Sequence, residues 1–364
     1  MSTTIGSDAR DIVRAGLAAL DAAGVPYCVR GFTAELVPPD GADLDVLVPP
    51  ASRQAAAEVL AAAGWHPLRA PGHWGHQFWL RTTETGHWLK IDLVWRLRYG
   101  SETESTSDWV SRRRELDGLY AAAQADEDRH RERRARGQRE TPGPLERAAR
   151  RLPPRFPRSG PVVVVLGPDG AGKSSAVARL ASRIPVATTT GYLGIRQRPG
   201  GASDPLTGQA VVAVAQQPPP AQRVRLRELA FLGRKWLRTV PTVATVYAAA
   251  WRGHVVLLDR HPIDAVAVRP RRTLWGARFE RLLVTRLTPA PDALIVLDAP
   301  GAVLFARKGE HSPEALDAWR VGYRRLPGAV LVDATRSPEE VVDEVSRHVW
   351  RQLAVRRGWT GIDL

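Results

Sequence analysis

Runs of consecutive apolar residues in the C-terminal half of the chain predict the strands of a buried parallel sheet. The runs are VVVVL (162–166), VVLLD (255–259), ALIVLD (293–298) and AVLVD (329–333), and stretches with apolar residues at helical spacing separate them. Strands that are apolar on both faces need helices on both sides of the sheet, and parallel connections supply them. The pattern therefore predicts an α/β unit over residues 160–356, with helices on both faces of a parallel sheet.

The first 120 residues alternate shorter elements and predict a smaller α+β unit. Residues 8–24 have helical spacing and end at a glycine, and residues 52–64 repeat that spacing between strand patterns such as DLDVLV and KIDLVW. Residues 121–159 carry many charges and the Pro-rich end LPPRFPRSG, which predicts a surface helix running into a linker. We therefore expect two domains, 1–120 and 160–356, joined by a tether.

The composition favours a folded protein with an arginine-rich surface. Of the 52 basic residues only four are lysine, and with 38 acidic residues they give a formal net charge of +14. A charge of this size is also found in nucleic-acid-binding proteins. A chain that uses arginine almost everywhere and is rich in alanine, however, is typical of GC-rich genomes. Nucleic-acid binding is therefore the less favoured interpretation.

The sequence shows no signal for export or for a disulfide framework. Cys28 is the sole cysteine, so no disulfide can form within the chain. The N-terminus lacks a charged segment followed by an apolar one, and apolar runs such as VATVYAAAW are too short to cross a bilayer. We expect a cytoplasmic enzyme without membrane contact.

The segment GPDGAGKS (167–174) follows the first buried strand and fits the phosphate-loop pattern G-x-x-x-x-G-K-[ST]. Its glycines let backbone N–H groups point at a phosphate, and the following helix adds the partial positive charge of its N-terminus. Lys173 is expected to reach the β- and γ-phosphates of ATP, and the Ser174 hydroxyl to ligate Mg²⁺. The predicted nucleotide-binding residues are Gly167, Asp169, Gly170, Ala171, Gly172, Lys173, Ser174 and Ser175.

The end of the second apolar run indicates which class of phosphate-loop protein this is. The segment HVVLLDRHPID places Asp259 before Arg260 at a strand end, and the base-reading N-K-x-D of a GTPase is absent from the sequence. A mechanical ATPase usually carries an acidic pair at this position. An acid followed by an arginine suits a kinase, in which the acid organises Mg²⁺ and the arginine clamps a phosphate of the acceptor. We predict catalytic roles for both residues.

The chain resembles thymidylate kinases over residues 160–355, in the three blocks GPDGAGKSS, LLDRHPIDAVAVRPRR and PDALIVLDAPGAVLFARKGEHSPEALDAWRVGYRRL. It is most similar to the thymidylate-kinase-like proteins encoded with nucleotidyltransferase-like domains in bacterial biosynthetic clusters. The resemblance implies that Asp169 faces the acceptor and that ARKGEHSPEALDAWRVGYR forms a lid over the donor phosphates. The candidate catalytic cations of this lid are Arg307, Lys308 and Arg320. A homodimer is a further expectation, because thymidylate kinases are commonly dimers.

Two departures from the family leave the acceptor open. The segment GIRQRPGG makes Arg196, Arg198 and Pro199 only loose counterparts of the R-E-P-G segment that contacts the acceptor in thymidylate kinases. His261 stands where an aromatic residue is expected. A nucleoside monophosphate, a sugar phosphate and another small metabolite all remain candidates for the acceptor.

Acidic residues in the strands of the N-terminal unit predict a metal site. Asp43 and Asp45 lie two apart in DLDVLV and share one face of the strand, and Asp92 lies in the later strand KIDLVW. Three such carboxylates suit the two Mg²⁺ ions of a nucleotidyl-transfer site. In their order of elements, residues 8–97 resemble the minimal nucleotidyltransferase fold.

The N-terminal unit departs from that superfamily where the triphosphate is seated. Arg30-Gly31-Phe32 stands in place of the Gly-Ser or Gly-Gly that follows the first strand. An active transferase and a degenerate or binding domain therefore both stay open. We interpret three histidines that lie among tryptophans as packing and surface residues rather than metal ligands: His73, His76 and His87.

Three functions stay open at this point. The first is a bifunctional enzyme in which a nucleotidyltransferase-like domain is tethered to an ATP-dependent phosphotransferase. The second is a nucleic-acid-associated end-processing enzyme, and the third is a regulatory protein with degenerate sites. The intact phosphate loop favours the first.

Overall fold

The structure is a computed structural model of the chain and describes residues 2–32, 36, 41–68, 72–99, 102–138, 142–151, 158–193, 226–264, 274–286 and 288–360. The chain folds into two compact units. The first comprises Met1–Arg155 with the short segments Ser182–Pro185 and Trp359–Asp363, and the second comprises Phe156–Ala181 and Val186–Gly358. Within the described ranges, no helix has the length and apolar character needed to cross a membrane.

A mixed sheet of seven strands forms the centre of the first unit, and a two-stranded hairpin accompanies it. The strands are β1 (Cys28–Arg30), β2 (Leu44–Leu47), β3 (His66–Leu68), β4 (His76–Thr82), β5 (Trp88–Val94), β6 (Arg96–Tyr99), β7 (Glu102–Ser105), β8 (Arg114–Leu116) and β9 (Leu119–Ala121). The sheet order is β3-β4-β5-β2-β1-β9-β8, and β6 pairs with β7 to form the hairpin. The pairs β2–β5 and β1–β9 are parallel, and the other neighbours are antiparallel.

Helices pack against both faces of this sheet. Their bounds are α1 (Ser2–Ala22), α2 (Arg53–Ala62), α3 (Thr106–Ser111), α4 (Gln124–Ala135) and α5 (Pro144–Arg151), and a 3₁₀ turn spans Pro50–Ser52. Leu17 and Leu20 of α1, Leu60 of α2 and the side chain of Trp65 are buried together in one core. Burying each of these side chains stabilises the fold by about 1.5–3 kcal/mol, so this core fixes both helices on the sheet.

The register of three neighbouring strands aligns charged residues in one row. Arg30 of β1 pairs with Asp45 of β2, and Asp45 pairs with Asp92 of β5. Side chains directly opposite each other on neighbouring strands point to the same face. The row therefore brings an arginine and two carboxylates together on one side of the sheet.

A parallel sheet of five strands forms the second unit. The strands are β10 (Val162–Leu166), β11 (Thr188–Tyr192), β12 (Val255–Asp259), β13 (Ala293–Asp298) and β14 (Ala329–Asp333). The helices are α6 (Lys173–Arg183), α7 (Leu226–Trp251), α8 (Leu274–Arg286), α9 (Gly301–Lys308), α10 (Pro313–Arg324) and α11 (Pro338–Arg357). The strand order is β11-β12-β10-β13-β14, and all neighbours are parallel.

Both faces of this sheet are covered. Every residue of β10 and β12 is buried, whichever face its side chain takes. On one face, alternate residues of β10 pack with Tyr247 of α7 and Tyr323 of α10. Helix α11 packs against β13 and β14. The predicted parallel sheet between layers of helices is confirmed.

Two segments differ from the elements expected from the pattern. Strand β11, at one edge of the sheet, has the sequence TTTGY without an apolar run, and all its residues are half-buried or exposed. Within residues 121–159, β9 ends at Ala121 and α4 buries Asp126 and His130, although this helix is almost free of apolar residues. Polar contacts fix α4: Asp126 accepts hydrogen bonds from Arg112, and the Tyr99 hydroxyl lies 2.8 Å from His130 Nδ1. This part of the segment is a helix of the first unit, and the linker predicted for residues 121–159 stays a prediction.

Candidate functional site

The phosphate-loop segment connects β10, the central strand of the second unit, to α6. Helix α6 begins at Lys173, so Ser174 and Ser175 are its second and third residues. Parallel α/β sheets bind ligands beyond the carboxyl ends of their strands. The loop occupies this edge, between the ends of β12 and β13.

Two glycines of the loop are required by close backbone contacts. At Gly167, with a φ of 140°, a Cβ atom would lie 2.5 Å from the Leu297 carbonyl oxygen. At Gly170, with a φ of 87°, it would lie 2.6 Å from the Leu304 carbonyl oxygen. Gly172 has a φ of 86° but open space around the position of a Cβ. Packing thus demands the first two glycines, whereas the third keeps space free at the helix N-terminus.

Lys173 lies beneath the loop with its ammonium group held by the loop backbone. Its side chain is 6% exposed, Nζ donates a hydrogen bond of 2.7 Å to the Pro168 carbonyl, and Nζ lies 3.9 Å from Asp169 Oδ1. Burial lowers the pKa of Lys173 to about 8, and the charge of Arg260 contributes to the decrease. A bound polyphosphate would bring negative charge next to this ammonium group and so favour its protonated form.

Ser174 and Asp259 form a pair that matches a magnesium site. The Ser174 hydroxyl donates a hydrogen bond of 2.5 Å to Asp259 Oδ2, and the register of β10 and β12 sets Asp259 opposite Val165, just before the loop. Asp259 Oδ1 is buried and has no hydrogen-bond partner among the described residues. A hydroxyl and a carboxylate are ligands that Mg²⁺ prefers, and the unpartnered oxygen supplies a free coordination position. These residues fit a Mg²⁺ ion bound together with a nucleotide.

Arg260 connects the loop to a second carboxylate. It has a φ of 71°, in the left-handed region, and its guanidinium donates a hydrogen bond to Asp169 Oδ1. Its Nη1 lies 3.5 Å from Asp264 Oδ2, and the Tyr323 hydroxyl donates a 3.0 Å hydrogen bond to Asp264 Oδ1. A non-glycine residue at positive φ stores strain of about 1–3 kcal/mol, which the surrounding contacts must offset.

The charges around Asp169 keep it ionised. Burial by itself would raise the pKa of Asp169, but the positive charges of Arg260 and Lys173 outweigh burial, and the pKa lies below its ordinary value. For Asp264, burial dominates and raises the pKa. The sequence pattern missed Asp264 and Tyr323. The spacing of Asp264 four residues after Arg260 was a usable signal, whereas nothing in the sequence marks Tyr323.

His261 is a buried neutral residue next to this network. It is 2% exposed, and the Ile263 backbone N–H donates a 3.2 Å hydrogen bond to its Nδ1. Burial lowers the pKa of His261 to about 4. Because Nδ1 accepts, the ring proton lies on Nε2, which is buried and has no hydrogen-bond partner in the described ranges.

The predicted lid residues lie on α9, on α10 and between them, and they divide into two groups. Arg307 donates a 2.9 Å hydrogen bond to the Ala334 carbonyl, and Arg320 pairs with Asp298 at 2.6 Å. These two contacts lie beyond β13 and β14, not on the phosphate loop. Lys308 is nearer to the loop, because it pairs at 3.0 Å with Glu310, whose carboxylate lies within 4.8 Å of Asp169. The catalytic roles of all three lid cations stay predictions.

A cavity of about 430 Å³ opens at the carboxyl ends of β13 and β14. Asp298 at its wall accepts hydrogen bonds from both Arg320 and Arg324. The size is within the range of small-molecule sites. The lining residues are Asp298, Pro300, Arg320, Arg324, Leu331, Val332, Asp333 and Thr335.

The first unit brings its three predicted metal ligands together. Oxygens of Asp43, Asp45 and Asp92 all lie within 4.8 Å of one another. This agrees with the predicted grouping, and the arrangement has enough oxygen ligands for a divalent cation. Their role as metal ligands stays a prediction.

Each of these three carboxylates also pairs with a basic side chain from the same unit. Arg30 Nη2 lies 2.9 Å from Asp45 Oδ2, Lys90 Nζ lies 3.0 Å from Asp43 Oδ2, and His76 Nδ1 lies 2.8 Å from Asp92 Oδ2. Burial raises the pKa of Asp45 to about 6, although Arg30 lowers it in part. The interpretation of His76 as a packing residue missed this contact, since the periodicity of β4 does not reveal what lies across from it.

The segment after β1 is occupied by a carboxylate of the chain itself. Gly31 has a φ of 68°, and its backbone N–H donates a 2.6 Å hydrogen bond to Glu127 Oε1 of α4. Phe32 packs against the core. The place expected to seat a triphosphate therefore holds Glu127 in this structure. Three further residues discussed from the sequence, Arg196, Arg198 and Pro199, lie outside the described residues.

The geometry defines the second unit as a parallel α/β unit with a phosphate loop and a magnesium-type pair. No protein-family model and no curated protein matches the chain. Among solved structures, it is similar to a deoxyadenosine kinase from M. mycoides with bound dATP, at 12% sequence identity and a TM-score of 0.33, over 52% of this chain and 98% of that chain. A similarity this distant carries no argument about function, which rests on the geometry of the site.

Proposed function

We propose that the second unit is an ATP- and Mg²⁺-dependent phosphotransferase, built like the thymidylate kinases, that acts on a small-molecule acceptor. The observation that carries this proposal is the phosphate loop with Lys173 beneath it and the Ser174–Asp259 pair at its side. A loop of this kind without a metal pair would suit phosphate binding alone. With the pair, both the charge and the geometry of a MgATP complex are provided for.

Each part of the site has a role in this proposal. The loop N–H groups and Lys173 would bind the β- and γ-phosphates, and Ser174 and Asp259 would hold a Mg²⁺ ion. The metal, when bound, neutralises charge that develops on the phosphates. The cavity beside Asp298 has room for the base of the donor nucleotide. Lys308 approaches from the lid side and would add positive charge as the transfer proceeds.

The test is ADP release from ATP and Mg²⁺ in the presence of an acceptor panel of nucleosides, nucleoside monophosphates, sugars and sugar phosphates. We expect Lys173→Ala to reduce acceptor-dependent ADP release at least about 100-fold while the far-ultraviolet circular dichroism stays unchanged. Glu339→Gln is the matched control, because it removes a charge from an exposed ion pair with Arg179 on the surface of the same unit. Equal activity of the Lys173 variant and the wild type would contradict the proposal.

The carboxylate cluster of the first unit favours nucleotidyl transfer as a second candidate function. Its three carboxylates within 4.8 Å provide the oxygens that two Mg²⁺ ions require. A metal–nucleotide complex bound at these residues would compete with two contacts of the chain itself, that of Arg30 with Asp45 and that of Glu127 with the Gly31 N–H.

Radiolabelled nucleoside triphosphate and Mn²⁺ would test the transferase. Transfer of labelled nucleotide that Asp45→Asn abolishes would support an active site. The absence of both Mn²⁺ binding and transfer would instead favour a degenerate, regulatory domain. A steep loss of DNA or RNA binding with salt would support the nucleic-acid alternative.

A further inference from the structure

The charges on the acceptor side of the phosphate loop determine what kind of acceptor fits. Here "acceptor side" means Asp169, Arg260, Asp264 and Tyr323, the residues joined by the Arg260 network. Arg260, which the sequence motif suggested as a clamp for an acceptor phosphate, already donates to Asp169 and lies 3.5 Å from Asp264. Its positive charge is therefore shared between carboxylates of the protein.

Among the residues that the structure describes, those of the acceptor side carry no excess positive charge. Asp169 and Arg260 cancel each other, and an ionised Asp264 makes the sum negative. The nearby lid adds Glu310, which is paired with Lys308, and His311, whose Nε2 lies 3.6 Å from Asp169 Oδ2. An acceptor phosphate carries a charge of about −1.5 to −2 near neutral pH and needs uncompensated cations to be bound. These residues do not supply them.

Asp169 lies between the lysine of the phosphate loop and Arg260. Its carboxylate lies 3.9 Å from Lys173 Nζ on the donor side and contacts Arg260 on the acceptor side. An ionised carboxylate beside a γ-phosphate repels a second phosphate but accepts the proton of a hydroxyl group. In kinases that phosphorylate hydroxyl groups, an aspartate commonly has this task.

We propose that the acceptor is an uncharged hydroxyl compound, such as a nucleoside or sugar without a phosphate, and that Asp169 is the base that receives its proton. This inference rests on the proposed phosphotransferase function and narrows its acceptor class. In the reaction the acceptor oxygen forms a bond to the γ-phosphorus of ATP, and the bond between that phosphorus and the β,γ-bridging oxygen breaks. ADP leaves with the bonding electron pair, and the hydroxyl proton passes to Asp169. Arg260 holds the carboxylate in position.

The experiment compares matched acceptors that differ only in one phosphate: thymidine and thymidine monophosphate, adenosine and AMP, glucose and glucose 6-phosphate. For each pair, kcat/KM is measured by coupled ADP release with saturating MgATP. We expect the hydroxyl member of the best pair to exceed the phosphorylated member by about tenfold or more, since a like charge near Asp169 is unfavourable.

The variant Asp169→Asn tests whether Asp169 acts as a base or has only a structural role. We expect it to lower kcat/KM for the hydroxyl acceptor by about 100-fold. The kcat/KM for the phosphorylated acceptor should fall much less, because Arg260 is then free to bind the acceptor phosphate. Glu339→Gln, which removes a carboxylate outside the site, should leave both values as in the wild type.

The outcomes are distinguishable. This inference would be overturned if the wild type preferred phosphorylated acceptors, or if Asp169→Asn lowered kcat/KM equally for both members of each pair. Either result would still be consistent with the proposed phosphotransferase function. ADP release that no acceptor raises above the rate with water would overturn the proposed phosphotransferase itself, and this inference with it.

Discussion

The lowered pKa of Lys173 makes the affinity for ATP depend on pH above neutrality. In the free protein, burial places this pKa at about 8 instead of the ordinary 10.5. With a pKa of about 8, about nine-tenths of the molecules carry the ammonium charge at pH 7 but only about one-tenth at pH 9. If only the charged form binds the phosphates well, the Kd for ATP rises about tenfold over this interval. The sign follows from the direction of the shift, because a depressed lysine pKa means that charge is lost as pH rises through 8.

The measurement is the Kd of a fluorescent ATP analogue in the presence of Mg²⁺, at half-unit steps from pH 7 to pH 9.5. Lys173→Arg is the control, since arginine stays protonated across this range and its Kd should be flat whatever its absolute value. A wild-type Kd that stays constant to pH 9.5 would show that the ammonium keeps its ordinary pKa. The reasoning from burial would then fail.

Three further predictions concern the packing and polar contacts of both units. Gly167→Ala should lower the free energy of unfolding by about 2 kcal/mol, because its Cβ would meet the Leu297 carbonyl, whereas Gly172→Ala should cost about 1 kcal/mol from strain alone; thermal melts of the two variants compare them. Ser174→Ala should raise the Mg²⁺ concentration that half-saturates ADP release by about tenfold or more. An unchanged concentration would show that Ser174 is not a ligand of the metal. Asp126→Ala should cost about 2 kcal/mol in urea unfolding because it frees two arginines, whereas Asp128→Ala, which breaks an exposed pair, should cost less than about 0.5 kcal/mol.

Local patterns predicted the main elements of the second unit well. The apolar runs gave β10, β12, β13 and β14. In β10 and β12 the run reflects burial on both faces, whereas edge strand β14 keeps an apolar run although most of its residues are half-buried or exposed. Strand β11 was missed because its residues, all half-buried or exposed, form no such run. Helix α4 of the first unit was predicted as a surface helix, but its buried Asp126 could not be foreseen, since its partner Arg112 comes from another element.

In the candidate site, too, local patterns predicted some features, whereas contacts between distant residues could not be predicted. The sequence predicted a helix directly after the phosphate loop, and α6 begins there at Lys173. The sequence also suggested Arg260 as a clamp for an acceptor phosphate. In the structure Arg260 instead contacts Asp169 and lies near Asp264, and this changes the acceptor that we propose.

The sequence by itself determined the parallel α/β unit, the position of its phosphate loop and the identity of the residues that can carry charge there. These features depend on residues close together in the chain, where periodicity and motif spacing act. Only the tertiary structure decided how the charges are paired. Ser174 and Asp259 are 85 residues apart, and Asp169 and Arg260 are 91 apart. Such contacts depend on strand order and register, and the energy of an ion pair depends on distances and burial that no local pattern encodes.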